Sequence, residues 1–217
     1  LGPARADFFL YDYLSKLSSS ITILPNFSDE SFDVKIININ LASQFLRHMT
    51  TSLWLAALFS FPYIIYEVWK FIKPGLYQQE KKKIRWVLGF GTIMFFGGCA
   101  VGYCLVFPMT FRFLATYELS TAIENQISLD SYMDNFMMLI FLMGIVFELP
   151  LLAWFLSKIG YLDRSFFRKY RRHTVVFLVI LAAIITPSGD PFTLSIVFVP
   201  LYLLFEFSQL LVKKELV

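Results

Sequence analysis

Three glutamates draw attention because each lies within or beside an apolar segment, where a charge is costly. Glu148 interrupts the oily run 136–156, Glu206 follows the last apolar run, and Glu80 stands next to a basic cluster. A charge at the centre of a membrane helix costs about 2.5 kcal/mol or more, and such residues usually face a partner or a polar cavity. A carboxylate in such a place can accept hydrogen bonds, bind a cation or carry a proton.

Glu148 has the most apolar surroundings of the three, and Pro150 follows it two residues later. One interpretation is a structural carboxyl group that bonds to a neighbouring helix. The other is a site for a polar guest, or a proton relay within the membrane. The residues themselves leave both open.

Glu80 also has two interpretations. It follows an apolar, turn-rich stretch that includes Phe71, Pro74, Leu76 and Tyr77, and it precedes three lysines. The segment is either a solvated basic loop that binds anionic lipid headgroups, or a groove mouth whose carboxylate pairs with an incoming cation. Arginine would suit that second role, because its planar guanidinium meets a carboxylate through two parallel hydrogen bonds.

The sequence "ITPSGDPF" joins the last two apolar segments. Thr186 and Pro187 end one helix, Gly189 permits the turn, and Asp190 can cap the next helix. Glu206, near the far end of that helix, can extend its carboxylate to the membrane surface or serve a functional role.

Other chemistry finds little support in the sequence, which therefore predicts neither an enzyme nor a cofactor. It contains no P-loop, no HExxH and no GxSxG motif. The two cysteines, Cys99 and Cys104, do not share a helix face, and the two histidines are far apart. An ion or small-molecule transporter that uses Glu148 as its coupling carboxylate is a rival class, although no inverted repeat is evident.

Composition shows which elements must position these side chains. The chain is 57% hydrophobic and only 16% charged, against about 25% charged in soluble domains. Crossing a bilayer takes about 20 apolar residues as a helix. Three long apolar segments (51–65 with its continuation, 86–114 and 136–156) meet that length, and two shorter ones (174–186 and 194–205) form a tight hairpin. The sequence predicts an all-α polytopic membrane protein with five transmembrane helices, the last two short.

Proline and glycine positions suggest how these helices bend and pack. Pro62, Pro108 and Pro150 each lie inside one long segment, and an internal proline usually bends a helix. Three bent helices favour a curved wall. Gly98 and Gly102 form a GxxxG pattern that would let another helix approach closely.

Basic residues predict the topology. The segments 67–86 and 158–173 hold six Lys or Arg residues each, whereas 116–132 and 187–191 hold none. The positive-inside rule places both basic segments and the C-terminus on the cytoplasmic side. Residues 1–49 then form an extracytoplasmic cap, with a strand-like alternation at 35–40, and residues 50–217 form the transmembrane domain. An exported polar start predicts a preceding sixth helix that this chain lacks.

The motifs, in order along the chain, resemble those of the TatC family, the core receptor of the twin-arginine translocase. The resemblance runs from residue 57 to the C-terminus and is carried by "FSFPYIIYEVWKFIKPGLYQQEKK", "GYCLVFPMTFRFL", "GIVFELPLLAWFLSKIG", "RKYRRHTVVFLVILAAIITPSGDPF" and "VPLYLLFE". It implies a glove-like bundle of six helices with an external cap. It also implies export of folded proteins, driven by the proton gradient, across the inner membrane or an organellar membrane.

The resemblance also implies roles for particular residues. Glu80, flanked by Phe71, Pro74, Leu76 and Tyr77, matches the glutamate that contacts the twin-arginine signal peptide. Glu148 matches an intramembrane polar site on the concave face.

The last hairpin, with Thr186, Asp190, Leu194 and Glu206, is similar to the docking edge for the small single-span partners of the TatA and TatB type. Leu194 occupies a position where the family often has glutamine, and a second signal-binding glutamate of the family's N-terminal segment is absent here. Other TatC copies and membrane lipids are the remaining expected partners, and no nucleic acid is expected.

Overall fold

The computed structural model describes residues 36–72, 84–117, 126–186 and 188–212. Most of the predicted cap, residues 1–35, lies outside this part, as do residues 73–83 with Glu80, Pro74, Leu76 and Tyr77. The division into a cap and a transmembrane domain therefore stays a prediction.

The described chain is helical apart from two short strands. The elements are β1 (Ile36–Ile37), α1 (Ser43–Ile72), α2 (Ile84–Val101), a π-helical turn (Gly102–Val106), α3 (Phe107–Thr116), β2 (Ile127–Ser128), α4 (Leu129–Val146), α5 (Leu149–Lys158), α6 (Arg164–Lys169), α7 (Arg171–Ile185) and α8 (Pro191–Leu211). Four helical stretches in the described residues are long and apolar enough to cross a membrane: Ser43–Phe71, Leu88–Thr116, Leu129–Lys158 and Pro191–Leu211.

Two of the long segments are divided where their prolines lie. The π-helical turn precedes α3, whose first turn contains Pro108, and α4 ends just before α5, whose first turn contains Pro150. Proline fits the first turn of a helix because its missing N–H would have no intrahelical partner there. Pro62 and Pro200 instead lie inside continuous helices, so the prolines do not all act alike.

The last hairpin is less symmetric than the sequence suggests. Helix α7 has 15 residues and is about 22 Å long, which fits the predicted short helix. Helix α8 has 21 residues and reaches about 31 Å, so it is longer than the apolar run 194–205. Counting apolar residues underestimates α8 because the helix begins at a polar cap, Asp190, and continues past Glu206.

The main core lies among α3, α4, α7 and α8. Its most deeply buried side chains include Val106, Leu139, Met143, Leu178 and Leu201. Helix α1 contributes little to it, since only 6% of the most apolar window of α1 is buried. The second half of the described chain thus forms the packed body, and α1 lies at its edge.

Helices α2 and α4 meet through glycines. A Cβ on Gly98 would lie 2.6 Å from the Met143 carbonyl oxygen, and one on Gly102 would lie 3.1 Å from Ile140 Cα. From the opposite side, a Cβ on Gly144 would lie 2.7 Å from Cys99 Sγ. The close approach predicted from the GxxxG pattern is confirmed, and Gly144 is the complementary residue on the partner helix.

A polar cluster fastens the start of α1 to the start of α4. Asp130 accepts hydrogen bonds from Ser43 Oγ at 2.7 Å, Arg47 Nε at 2.7 Å and Asn40 Nδ2 at 3.0 Å, and Arg47 also pairs with Asp134. Beside this cluster, β1 and β2 pair in parallel, with Ile36 opposite Ile127. The predicted alternation at 35–40 becomes a strand of two residues.

The glycine contact generates a paired stability prediction. Gly98→Ala should lower the free energy of unfolding by about 1–3 kcal/mol, because the new methyl group has no room against α4. Gly97→Ala is the matched control, since a Cβ there meets nothing within 4 Å. It should raise stability by roughly 0.5–1 kcal/mol, because alanine is the better helix former. Thermal unfolding in detergent measures both, and equal effects would contradict the packing described here.

Candidate functional site

Glu148 lies at the break between α4 and α5. Its backbone N–H donates to the Ile145 carbonyl at 3.0 Å, and its own carbonyl accepts from Leu152 N at 3.0 Å. The residue therefore belongs to a turn with helical backbone angles, and Pro150 lies in the first turn of α5. The proline can follow the glutamate so closely because the first turn of a helix tolerates a residue without an N–H group.

The side chain of Glu148 is buried without a visible polar partner. The residue is 8% exposed, and Oε1 has no hydrogen-bond partner among the described residues. A buried carboxyl oxygen without a hydrogen bond is costly. The interpretation as a structural carboxyl would require a bond to a neighbouring helix, and the described helices supply none to Oε1. The geometry therefore favours a site that a polar guest completes.

Gly91 on α2 makes room for this carboxylate. A Cβ at Gly91 would lie 3.3 Å from Glu148 Oε2, 2.9 Å from Leu151 Cδ2 and 3.5 Å from Ile65 Cδ1. The carboxylate thus reaches the junction of α1, α2 and α5. Sequence reasoning missed Gly91, whose only signal is its place among several glycines in an apolar helix.

The surroundings of the site are otherwise apolar. Ile65, Trp69 and Leu151 form a buried cluster, against which Phe61 and Trp154 pack. Trp69 and Phe155 meet edge to face, with ring centroids 5.0 Å apart. A guest that reaches Glu148 would therefore combine an apolar body with one polar or cationic group.

The turn between α7 and α8 confirms the predicted cap. Asp190 Oδ2 accepts from Thr193 N at 2.8 Å, Oδ1 accepts from Thr193 Oγ1 at 2.6 Å, and Gly189 has a φ of 61°. Burial opposes ionisation of Asp190, but hydrogen bonds from Ser188 and Thr193 keep its pKa below the ordinary value. Thr186 ends α7 and is buried, with its N–H bonded to the Ala182 carbonyl at 2.9 Å.

At the other end of the hairpin, Glu206 pairs with Arg171, which also donates to Tyr202 Oη at 2.7 Å. Arg164 Nε donates to the Gln209 carbonyl at 3.1 Å. These bonds tie α6 and the start of α7 to the end of α8. They favour a structural role for Glu206.

Comparisons with known proteins indicate the family of the chain. A family model described as "Sec-independent protein translocase protein (TatC)" matches residues 6–200. A Sec-independent protein translocase protein TatC from Blattabacterium sp. subsp. Periplaneta americana is 36% identical over 95% of this chain and 78% of its own length. Its counterpart from Deinococcus radiodurans is 35% identical over 82% of this chain and 66% of its own length.

Solved structures agree. The crystal structure of a twin-arginine translocase receptor, TatC, has a TM-score of 0.72 at 25% identity and covers 95% of this chain and 86% of that chain. A second crystal structure of the receptor, in the detergent DDM, has a TM-score of 0.74 at 26% identity, with 96% and 93% covered.

The chain belongs to the TatC family.

As a TatC protein, the chain is a multi-pass protein of the inner membrane and a translocase component rather than an enzyme. The predicted fold class is confirmed. Helices α5 and α1 also bring their ends together at the contact of Trp69 with Phe155, which sets the ends that border the two basic segments side by side. This arrangement agrees with the predicted topology, in which both basic segments face the cytoplasm.

Of the residues predicted to bind the signal peptide in this TatC chain, the structure describes only Phe71. Phe71 is 85% exposed at the end of α1, on the side where both basic segments begin. Glu80, Pro74, Leu76 and Tyr77 lie outside the described residues, so their placement relative to Glu148 stays a prediction. Leu194, predicted to belong to the partner-docking edge, is half-buried and packs against the main core.

Proposed function

We propose that this TatC chain is the receptor that binds twin-arginine signal peptides during proton-gradient-driven export of folded proteins. The observation that carries the proposal is Glu148, a buried carboxylate with an unpartnered oxygen in an apolar junction. The similarity to the solved twin-arginine translocase receptor supports it.

Recognition begins at the cytoplasmic surface. Glu80 pairs with the guanidinium groups of the signal, and the exposed ring of Phe71 packs on the neighbouring apolar residues of the peptide. A carboxylate binds arginine better than lysine in such a place because the guanidinium makes two parallel hydrogen bonds. The surrounding basic residues exclude peptides that lack this fit.

Deeper binding uses the apolar junction at Glu148. The hydrophobic part of the signal peptide lies along the helical wall towards Gly91 and Glu148, where a polar group of the peptide completes the bonds of the carboxylate. Placing a polar partner beside a buried, unbonded carboxyl group recovers part of its desolvation cost. The two carboxylates thus act in sequence, one at the surface and one within the membrane.

The hairpin α7–α8 is the proposed docking edge for single-span Tat subunits. Val176, Ile180 and Ile184 are 54–65% exposed and form one apolar stripe along α7 at intervals of four residues. Asp190 and Thr186 hold the hairpin turn in shape. A transmembrane helix can pack along such a stripe through close van der Waals contact. Other TatC copies and lipids cover the remaining apolar surface.

Surface recognition can be tested by photocrosslinking. A photoreactive residue in place of Phe71 should capture a precursor with a twin-arginine signal, and a Lys-Lys signal should compete poorly. Glu80→Gln should reduce capture at least about tenfold, because the ionic hydrogen bonds to arginine are lost. Glu67→Gln is the control, since Glu67 pairs only with exposed Lys70 on the described surface. Equal capture of both signals would exclude Glu80 as the discriminating residue.

The intramembrane step gives a separate expectation for Glu148→Ala and Glu148→Gln. Both variants should still dock precursor at the surface but should insert the signal less deeply, with alanine the more severe because it removes every acceptor. Crosslinks from position 71 report docking, and crosslinks from position 65 report insertion. Export at the wild-type rate in Glu148→Ala would rule out the proposed site.

Neighbouring cysteine substitutions in α8 test the docking edge. Ser195 is exposed and Ile196 is 9% exposed. A cysteine at position 195 therefore faces outward, whereas one at position 196 faces the protein core. Ser195→Cys should form disulfides with a cysteine scanned through a single-span partner, whereas Ile196→Cys should form few. Disulfides at neither position, or equal yields at both, would count against docking at the α8 side of the hairpin.

A further inference from the structure

Three exposed basic side chains meet where α6 joins α7, and we call them the basic junction. Arg168 and Lys169 end α6, and Arg172 lies in the first turn of α7. Between the two helices, the Tyr170 N–H donates to the Phe166 carbonyl at 2.9 Å, and the Tyr170 carbonyl accepts a backbone N–H of the next turn at 2.9 Å. The helical path therefore continues, and the three side chains, three or four positions apart, are neighbours on its surface.

The acidic groups near the basic junction are already engaged. Asp163 is the one acidic residue of the segment 158–173, and it caps α6 by accepting a backbone N–H at 2.7 Å. Glu206 reaches across from α8 and pairs with Arg171. Among the described residues, the basic junction itself forms no ion pair. Because like charges at this spacing repel each other, the basic junction favours an anionic partner from outside the chain.

Aromatic side chains place the basic junction at the membrane–water interface. Phe166 and Tyr170 are 42% and 39% exposed, and their ring centroids lie 4.6 Å apart. The Lys169 ammonium lies 5.6 Å from the centroid of the Tyr170 ring. Exposed tyrosine is typical of the level of the lipid headgroups. The anions present at that level are phosphate groups of lipids.

Helix α7 offers a path for the acyl chain of such a lipid. The helix is about 22 Å long, less than the roughly 30 Å of hydrocarbon in a bilayer, so lipid headgroups must approach its ends. Val175 and Val179 follow Arg172 at three and seven positions, which places all three residues on one side of the helix. An acyl chain can lie along this side while its headgroup meets the basic junction.

We propose that the basic junction binds the headgroup of an anionic phospholipid, on the side predicted to face the cytoplasm. The phosphate accepts hydrogen bonds from Arg168 and Arg172, whose planar guanidinium groups suit two phosphate oxygens. Lys169 adds a third positive charge. A zwitterionic lipid presents the same phosphate but carries its own cation, so a lipid with net negative charge binds more tightly. The site is separate from the segment 67–86, which carries the predicted signal-peptide residues.

Electron paramagnetic resonance of the full chain in phosphatidylcholine nanodiscs can test the proposal. The probes are phosphatidylglycerol and phosphatidylcholine, each with a spin label on one acyl chain. The wild-type chain should immobilise phosphatidylglycerol with about tenfold preference over phosphatidylcholine. The double variant Arg168→Gln/Arg172→Gln should reduce that preference to within about twofold. In the wild-type chain the preference should also fall as sodium chloride is added, because salt screens exposed charges, and this measurement needs no variant.

A second double variant, Lys70→Gln/Lys158→Gln, removes two positive charges elsewhere on the same side of the protein. Lys70 lies 3.4 Å from Glu67, and the Lys158 ammonium lies 5.8 Å from the Trp154 ring centroid, so this control should keep most of the preference. Excess soluble glycerol phosphate should not displace the labelled lipid, because it has no acyl chain.

Three results would overturn the proposal. In the first, the wild-type chain shows no preference for phosphatidylglycerol, which would leave the basic junction to an acidic segment of a protein partner. In the second, both double variants lose the preference equally, so that net charge rather than this site attracts the lipid. In the third, glycerol phosphate displaces the lipid, which would indicate a site for soluble phosphates. Signal-peptide binding and export do not enter the test, so its outcome is independent of the proposed receptor function.

Discussion

The close contact of α2 with α4 holds the described helices in place. Gly98 in α2 and Gly102 at the start of the π-helical turn allow this stretch to approach the backbone of α4, and Gly144 on α4 makes room for the same contact. Between membrane helices, such backbone proximity supplies van der Waals packing that hydrophobic burial cannot, since lipid is as apolar as leucine. The same contact brings Gly91 near the break that carries Glu148, so the packing of two helices creates the environment of the carboxylate.

Interruptions in the helices then determine where polar groups can lie. The π-helical turn before α3 and the break before α5 each precede a proline. At the first, Thr110 is left without the usual bond to the preceding turn. At the second, Glu148 is held in a turn that aims its side chain towards α2. Both groups belong to non-uniform backbone, which membrane proteins tolerate only where other protein groups surround it.

Polar contacts at the two ends of the bundle keep these elements in register. At one end, Asp130 accepts hydrogen bonds from Asn40, Ser43 and Arg47. At the other end, the Arg171–Glu206 ion pair joins the start of α7 to the end of α8. Individually, exposed ion pairs contribute little. Because these groups converge in networks and join segments far apart in the chain, they specify which helix ends meet. That specificity suits the proposed receptor role, in which the proposed surface site and intramembrane site must stay aligned.

The sequence predicted the helices well because apolar length is a local property. It also predicted the cap at Asp190 and the turn at Gly189, since capping and positive φ depend on neighbouring residues. The end of α8 was predicted too early, because a paired Glu206 does not stop a helix.

By itself, the sequence determined the membrane class, the helical segments, the distribution of basic residues and the family resemblance. Only the tertiary structure decided that Glu148 faces Gly91, that Oε1 lacks a partner among the described residues, and that β1 pairs with β2. The physical reason is distance along the chain. Hydrophobicity and capping depend on residues that are adjacent in the sequence. The surroundings of a buried polar group come from helices that meet only when the whole bundle packs.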